Sequence, residues 1–382
     1  MLTILIFIII LGLLVFVHEL GHFLVARWNG IRVDEFGFGF PPRLFGVIKN
    51  ASGKYELVWG NKEMPSGETV YSLNWIPLGG FVKIAGEDGH DASDPNSFAG
   101  KSAWTRIRVL AAGVFMNFLF AWFLISIVFM LGLPQPIEPA DHGKFADAKI
   151  QVLAVGKGTP AETMGLSMGD AIVSINGEAI TTLEQVSELI SSHKGQAITV
   201  VVDRFGKPLT LTGTPRTEYP ATEGALGISF SETAVVSYSW YEAIYRGAIA
   251  TYDITLAILG AFGMMIASLF GGAKTALDVT GPVGIVYLTK QMSDLGLPYL
   301  LQFAALLSIN LGIINILPIP ALDGGRILFI LIEKLKGSPV SHRVEGMIHQ
   351  IGFILLLVLM LLVTVRDFAQ FQILDKLTRL FS

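Results

Sequence analysis

Apolar residues along this chain are bunched into long runs, and polar residues are gathered between them. A hydrocarbon core about 30 Å thick takes roughly 20 apolar residues of helix to cross. Four runs reach that length: Leu2–Ala26, Val109–Leu133, Leu300–Ile319 (within 299–320) and Ile348–Val365. The first lacks a basic leader and an A-x-A cleavage site and carries His and Glu near its end, so it reads as a span rather than a signal peptide. A fifth run, Ile254–Phe270, is shorter and rich in Gly and Met. The turns before it, Trp240–Arg246, mix aromatic and charged residues as at a headgroup boundary. The segment 240–298 is therefore expected to hold an interfacial or re-entrant helix and a loop.

Between the second and third runs the pattern changes. Ile150–Val155 and Ala171–Ile175 read as strands, and Asn176-Gly177 as a tight turn. Thr182–His193 reads as an amphipathic helix, with Leu183, Val186, Leu189 and Ile190 on one face. Two more strands are expected near 197–203 and 208–213, around Phe205-Gly206-Lys207. The segment 27–108 differs again. GFGFPPRLF and YSLNWIPLGGFVKIAGED alternate apolar residues with Gly, Pro and aromatics, which is hairpin chemistry at an interface.

Composition agrees with a membrane protein: 52% of residues are hydrophobic and 15% charged, where soluble domains carry about 25% charged. A net charge of −4 gives no basis for binding nucleic acid. Lys and Arg crowd the segment from Arg27 to Arg108 and recur at Arg326, Lys334, Lys336 and Arg343, which marks both stretches as cytoplasmic. Four spans then place the N-terminus and residues 134–298 outside. The fold class expected is a polytopic α-helical protein with four transmembrane helices, a membrane-associated β-hairpin region on the cytoplasmic side and one extracytoplasmic α/β domain over 149–230.

With no cysteine in the chain, a metal would have to be held by His, Asp or Glu, and there are only 7 histidines. His18-Glu19-Leu20-Gly21-His22 is an HExxH motif on the first predicted helix. The two histidines share one helix face and can reach a single Zn²⁺, with Glu19 beside them as a base for water. Ionisable groups in an apolar helix are costly and mark function by default. A third ligand is expected from elsewhere in the chain. Asp323, in Asn315-Ile316-Leu317-Pro318-Ile319-Pro320-Ala321-Leu322-Asp323-Gly324-Gly325, is the leading candidate, and four spans bring it to the same side as the histidines.

The run GTPAETMGLSMGDAIVSINGEAITTLEQVSELI resembles a bacterial PDZ domain, a family that binds a peptide, often its C-terminus, as an added strand. Gly224-Ala225-Leu226-Gly227-Ile228 looks similar to that family's carboxylate-binding loop; a folded spacer without ligand is the alternative. Taken together, HExxH in the first span, a PDZ-like segment and N-x-x-P-x-x-x-L-D-G at the third span resemble the site-2 proteases. The bacterial regulator-of-sigma-E protease group is the narrower match, over residues 1 to about 365. The resemblance implies an inner-membrane zinc endopeptidase with metal ligands His18, His22 and Asp323 and catalytic Glu19, facing the cytoplasmic side. It implies substrate contacts by Asn315, and Asn117 matches a second-span motif and is assigned with it. Interhelical bonding is the alternative for both asparagines. Implied substrates are single-pass membrane proteins, such as anti-sigma factors or remnant signal peptides. Strands around Tyr71–Ile84 are expected to dip toward the site and take unwound substrate as an added strand. The best-studied members carry two tandem PDZ domains, whereas this chain has room for one. Many have His where Arg326 stands, so Arg326 is given no metal role. A PDZ scaffold without activity, or an ion-coupled transporter, would be the competing classes.

Overall fold

The computed structural model describes residues 2–50, 52–62, 67–87, 93–136, 146–204, 206–220, 223–271, 280–338 and 340–370. In chain order these begin with α1 (Leu2–Trp28), β1 (Val33–Lys49), β2 (Tyr55–Trp59), β3 (Val70–Ile84) and α2 (Ala103–Leu131). Next come β4 (Leu133–Pro136), β5 (Ala146–Val155), α3 (Pro160–Met164), β6 (Ala171–Ile175), β7 (Glu178–Ala179) and α4 (Leu183–Ser192). The rest are β8 (Ile198–Arg204), β9 (Lys207–Gly213), β10 (Ile228–Val236), α5 (Trp240–Gly271), α6 (Pro282–Leu295), α7 (Leu297–Ile316), α8 (Asp323–Lys336) and α9 (His342–Gln370). They fall into two compact units, residues 1–126 with 244–382, and residues 127–243.

Among the described residues, α1, α2, α5, α7 and α9 are long and apolar enough to cross a membrane. That is one helix more than the four runs expected. α5 joins the aromatic turns after Trp240 to the apolar run at 254–270 in one helix of 32 residues. Only 6% of its most apolar window is buried, against 39% for α2. α2 begins at Ala103 because Trp104–Arg108 continue its helical period ahead of the apolar run. α7 stops at Ile316, three residues before the apolar run ends, because Pro318 and Pro320 have no N–H to continue the helical ladder.

In the first unit, α1 and α2 run antiparallel: His18 lies against Asn117, and His22 against Val109. The end of α7 comes to His18, and Ile330 of α8 packs with Ala26, Ile31, Val109 and Leu110. The three-stranded sheet has the order β2-β1-β3, but both long strands bend. Phe36 has Val82 as partner on one side and Tyr71 on the other, and Val47 also pairs with Tyr71. The far segment of β3, Gly80–Ile84, pairs only with residues 33–38 of β1 and forms an edge among the described residues. Across the bend of β1, Arg43 donates from Nε to Glu35 at 3.0 Å, and both side chains are buried. Paired charges are the form in which such groups can be buried near apolar surface.

The second unit is a six-strand path β4-β10-β5-β6-β8-β9, with β7 added to β6. Ile150, Val152, Ile175, Val186, Ile190, Ile198, Val200 and Leu226 form its core. Asn176 and Gly177 both have positive φ, 50° and 82°, as a tight hairpin turn between β6 and β7 requires. Thr182 and Gln185 form a reciprocal capping box that starts α4. Asp170 closes the turn into β6 by accepting from Arg204 at 2.6 and 2.7 Å. The loop Gly224–Gly227 is drawn tight by a Gly227 N–H to Gly224 carbonyl bond of 2.9 Å and leads directly into β10. Among the described residues β4 pairs only with Thr233–Val236, so the first residues of β10 have one strand neighbour there, β5.

Candidate metal centre

His18 and His22 project from adjacent turns of α1 and are both buried. Their Nε2 atoms are 3.1 Å apart. Asp323, 305 residues along the chain from His18, brings Oδ2 to 3.0 Å from His18 Nε2 and 3.4 Å from His22 Nε2. Among the described residues these three form the metal-competent cluster. Ligands at about 2.0–2.1 Å around a tetrahedral ion are roughly 3.3 Å apart, so the spacing fits zinc. The donor chemistry fits as well. His22 Nδ1 faces the Val109 carbonyl at 2.8 Å. A carbonyl can only accept, so the His22 proton sits on Nδ1 and Nε2 presents a lone pair to the cluster. A second imidazole nitrogen and a carboxylate oxygen stand around that lone pair, the donor set zinc takes in catalytic sites.

The local sequence explains each placement. HExxH lies wholly within a helix, which fixes the relation of the histidines to within a turn. Asp323 arrives through the break after α7. Pro318 and Pro320 interrupt the helix, Ala321 has φ of 78°, and α8 restarts at Asp323 with its carboxylate at the helix N-terminus. The Ala321 N–H donates to His349 Nδ1 at 2.7 Å, which pins this break to α9. Gly324 and Gly325 are packed against backbone carbonyls of Ile316, Leu317 and Ile319.

Glu19, partly buried, lies within electrostatic reach of His22, Asp323, Glu87 and Arg326. The β3 edge passes directly beside it: a Cβ built on Gly80 would fall 2.7 Å from the Phe16 Cα and 3.1 Å from Glu19 Cβ. Asn315, on the last turn of α7, has Nδ2 at 3.5 Å from His18 Nε2. Asn117 is completely buried, with Nδ2 at 3.1 Å from His18 Nδ1. All six residues singled out in the sequence thus stand around one point, Asn117 on the far side of the His18 ring.

Four contributors carried no signal strong enough to single them out. Gly113 faces both imidazoles, and the Val109 carbonyl orients one of them. Gly80 admits the edge strand. Glu87, in the turn that follows β3, is ion-paired with Arg326 of α8. The one available clue was the four-residue spacing of Gly113 and Asn117, which puts a gap and a polar group on the same face of α2.

The sequence matches Peptidase family M50 over residues 6–359. The zinc metalloprotease RasP of Geobacillus kaustophilus is 32% identical, over 96% of this chain and 97% of its own length. The regulator of sigma-W protease RasP of Bacillus subtilis is also 32% identical, over 96% of this chain and 98% of its own. Among solved structures, the PDZ domain of an SdrC-like protein of Listeria monocytogenes aligns with 23% of this chain and 93% of its own, at 21% identity and a TM-score of 0.20. With a family match across nearly its whole length and relatives above 30% identity at full coverage, the chain belongs to peptidase family M50.

Proposed function

We propose that the protein is a multi-pass zinc metalloprotease of the inner membrane that carries out regulated intramembrane proteolysis. His18, His22 and Asp323 hold the metal, and Glu19 is the catalytic base. The observation that carries this reading is the convergence of the two Nε2 atoms and the Asp323 carboxylate, with Glu19 and a sheet edge alongside. Zinc held there would supply Lewis acidity, polarising a peptide carbonyl and acidifying water toward a pKa of roughly 7. Glu19 would accept the proton of the attacking water on its carboxylate and return it to the leaving amide nitrogen. Asn315, facing the same point from α7, is placed to hold the substrate backbone.

A transmembrane helix has every backbone amide paired, so its peptide bonds are reached only after local unwinding. The Gly80–Ile84 edge offers those freed amides a strand to pair with, beside the base. Gly80→Val is expected to lift this edge from α1 and slow cleavage about 10²-fold. Zinc content should stay stoichiometric. Wild-type turnover in that variant would remove β3 from the mechanism.

The active site is assigned to the cytoplasmic side, with the N-terminus and the segment 134–298 outside. The basic residues of 27–108 support this orientation. With that orientation α1 and α7 both run toward the cytoplasmic end, so the path between α2 and α7 starts and finishes outside. α6, with 14 residues, is about 21 Å long and too short to cross as a helix. Among the described residues a crossing by α5 would thus lack a helical return, and we place α5 in the interface. The PDZ-like unit binds a peptide C-terminus along the first residues of β10, beyond the Gly224–Gly227 loop. The substrates are single-pass membrane proteins, such as anti-sigma factors or remnant signal peptides; the name of the Bacillus subtilis relative, regulator of sigma-W protease, favours a substrate tied to sigma-factor control.

The test is a reporter carrying one transmembrane helix, incubated with purified protein in zinc-loaded micelles. Cleavage within the helix, lost on chelation and restored by zinc, is the expected result. No cleavage across several trimmed helices, with zinc bound, would overturn the assignment.

A further inference from the structure

The break between α7 and α8 carries Asp323, yet its backbone shape is locally unfavourable. Pro318 and Pro320 end the helix, and Ala321 then takes a φ of 78°, the left-handed region that a side chain disfavours. Two contacts from α9 hold it there. The Ala321 N–H donates to His349 Nδ1 at 2.7 Å. One turn on, a Cβ built on Gly352 would fall 2.5 Å from Pro320 Cβ and 2.8 Å from the Pro320 carbonyl oxygen. Positions 349 and 352 are three apart and share one face of the helix. α9 thus presents an acceptor and a gap, side by side, to the residues just ahead of Asp323. A backbone N–H can only donate, so His349 accepts at Nδ1 and carries its ring proton on Nε2. Nε2 is buried and has no hydrogen-bond partner among the described residues, so Nδ1 makes the ring's polar contact there. Phe329 of α8 flanks the ring, with 5.5 Å between centroids. A histidine in a long apolar helix is costly and asks for a role.

We propose that His349 is a positioning residue for the metal centre. It holds Ala321 in the left-handed turn, and that turn sets where the Asp323 carboxylate meets His18 and His22, at 3.0 and 3.4 Å. This rests on the zinc reading above. His349 stands outside the ligand cluster, so it acts on the metal through the backbone of Ala321 and Leu322. A ligand held this way keeps its direction because the chain leading to it cannot swing, in the manner of outer hydrogen bonds that orient metal ligands. α9 supplies no ligand to the cluster and still fixes one of the three.

The experiment measures the zinc dissociation constant of the full-length protein in micelles, by competition with a chromogenic chelator, for wild type, His349→Asn and His349→Gln. Asn places its carbonyl oxygen where Nδ1 stands, whereas Gln places its oxygen where Nε2 stands. Loss of an orienting hydrogen bond weakens metal binding about 10–100-fold, and His349→Gln is expected to lose about 10-fold or more. His349→Asn is expected to stay within about threefold of wild type. Glycine takes a positive φ without strain, so in an Ala321→Gly background the His349→Gln loss should shrink to about threefold or less. A role confined to packing of α9 would leave that loss the same in both backgrounds. In parallel, ¹⁵N-histidine spectra of wild type should show His349 protonated at Nε2 alone. Equal affinities for the Asn and Gln variants, or a loss undiminished by Ala321→Gly, overturns the proposal. So does a proton on His349 Nδ1 in the wild-type spectrum, which decides the matter even where a variant is not recovered folded. Wild-type protein that binds no zinc would instead defeat the metal assignment itself, which a failure confined to the variants does not touch.

Discussion

Glu19→Gln is expected to keep its zinc and its fold and to lose cleavage by a factor of about 10² to 10⁴, the range for removing a positioned general base. Gln matches Glu in size and keeps an oxygen and a nitrogen for hydrogen bonding, so packing beside Gly80 of the β3 edge is preserved. What disappears is the group that can accept a proton. Glu19 stands beside the ligand cluster without belonging to it, so metal content is expected to be unaffected. Zinc measured by mass spectrometry and reporter cleavage followed on gels separate the two properties. A zinc-loaded variant that retained a tenth or more of wild-type turnover would take the proton-transfer role away from Glu19.

Gly113→Ala is expected to produce the opposite pattern, a folded protein that no longer retains zinc. The added methyl carbon would lie 2.4 Å from His22 Nε2 and 2.8 Å from His18 Cε1. Neither ring can turn aside without losing its anchor, Val109 for His22 and Asn117 for His18. Nor can the helices shift cheaply against each other, because α1 meets α2 closely at Gly21 too, where a Cβ would fall 2.4 Å from the Ala112 carbonyl oxygen. Overpacking of this kind costs about 1–3 kcal/mol, offset in part by roughly 0.5–1 kcal/mol from the better helix propensity of Ala. The helical fold should therefore persist, while zinc affinity falls about 100-fold or more, at the upper end of what disturbed ligand support costs. Dialysis against a moderate chelator, with helicity followed by circular dichroism, reads both. Full zinc retention would mean that the α1–α2 approach at Gly113 is looser than the geometry indicates.

These two variants dissect the site along a physical line. Glu19 supplies a proton acceptor and little structure, whereas Gly113 supplies only space. Gly80 resembles Gly113 in this respect, since its missing side chain lets a strand reach the base. The Glu87–Arg326 pair ties the same strand to α8, the helix that starts at Asp323. The edge that would receive substrate and the third metal ligand are thus held by one short connection.

Features that depend on near neighbours in the chain were legible in the residue pattern. HExxH gives two ligands and a base because helical periodicity alone puts positions four apart on one face. Apolar run length marks helices able to cross a bilayer, and Asn176-Gly177 marks a hairpin turn because few residues tolerate two successive positive φ values. Asp323 was legible as a candidate only through its proline- and glycine-rich setting and the side on which it should emerge. Its arrival within 3.0 Å of His18 was decided by the packing of α7 and α8 against α1 and α2. Tertiary structure alone also decided the double pairing of β1 with β3, the void at Gly113, and the carbonyl that orients His22. The same holds for the continuous helix from Trp240, where an aromatic turn and an apolar run merge although their compositions differ. Local propensity acts through a few residues on either side. Bends, close approaches and ligand orientation arise where segments distant in the chain exclude one another's volume and satisfy one another's polar groups, and no local pattern encodes those distances.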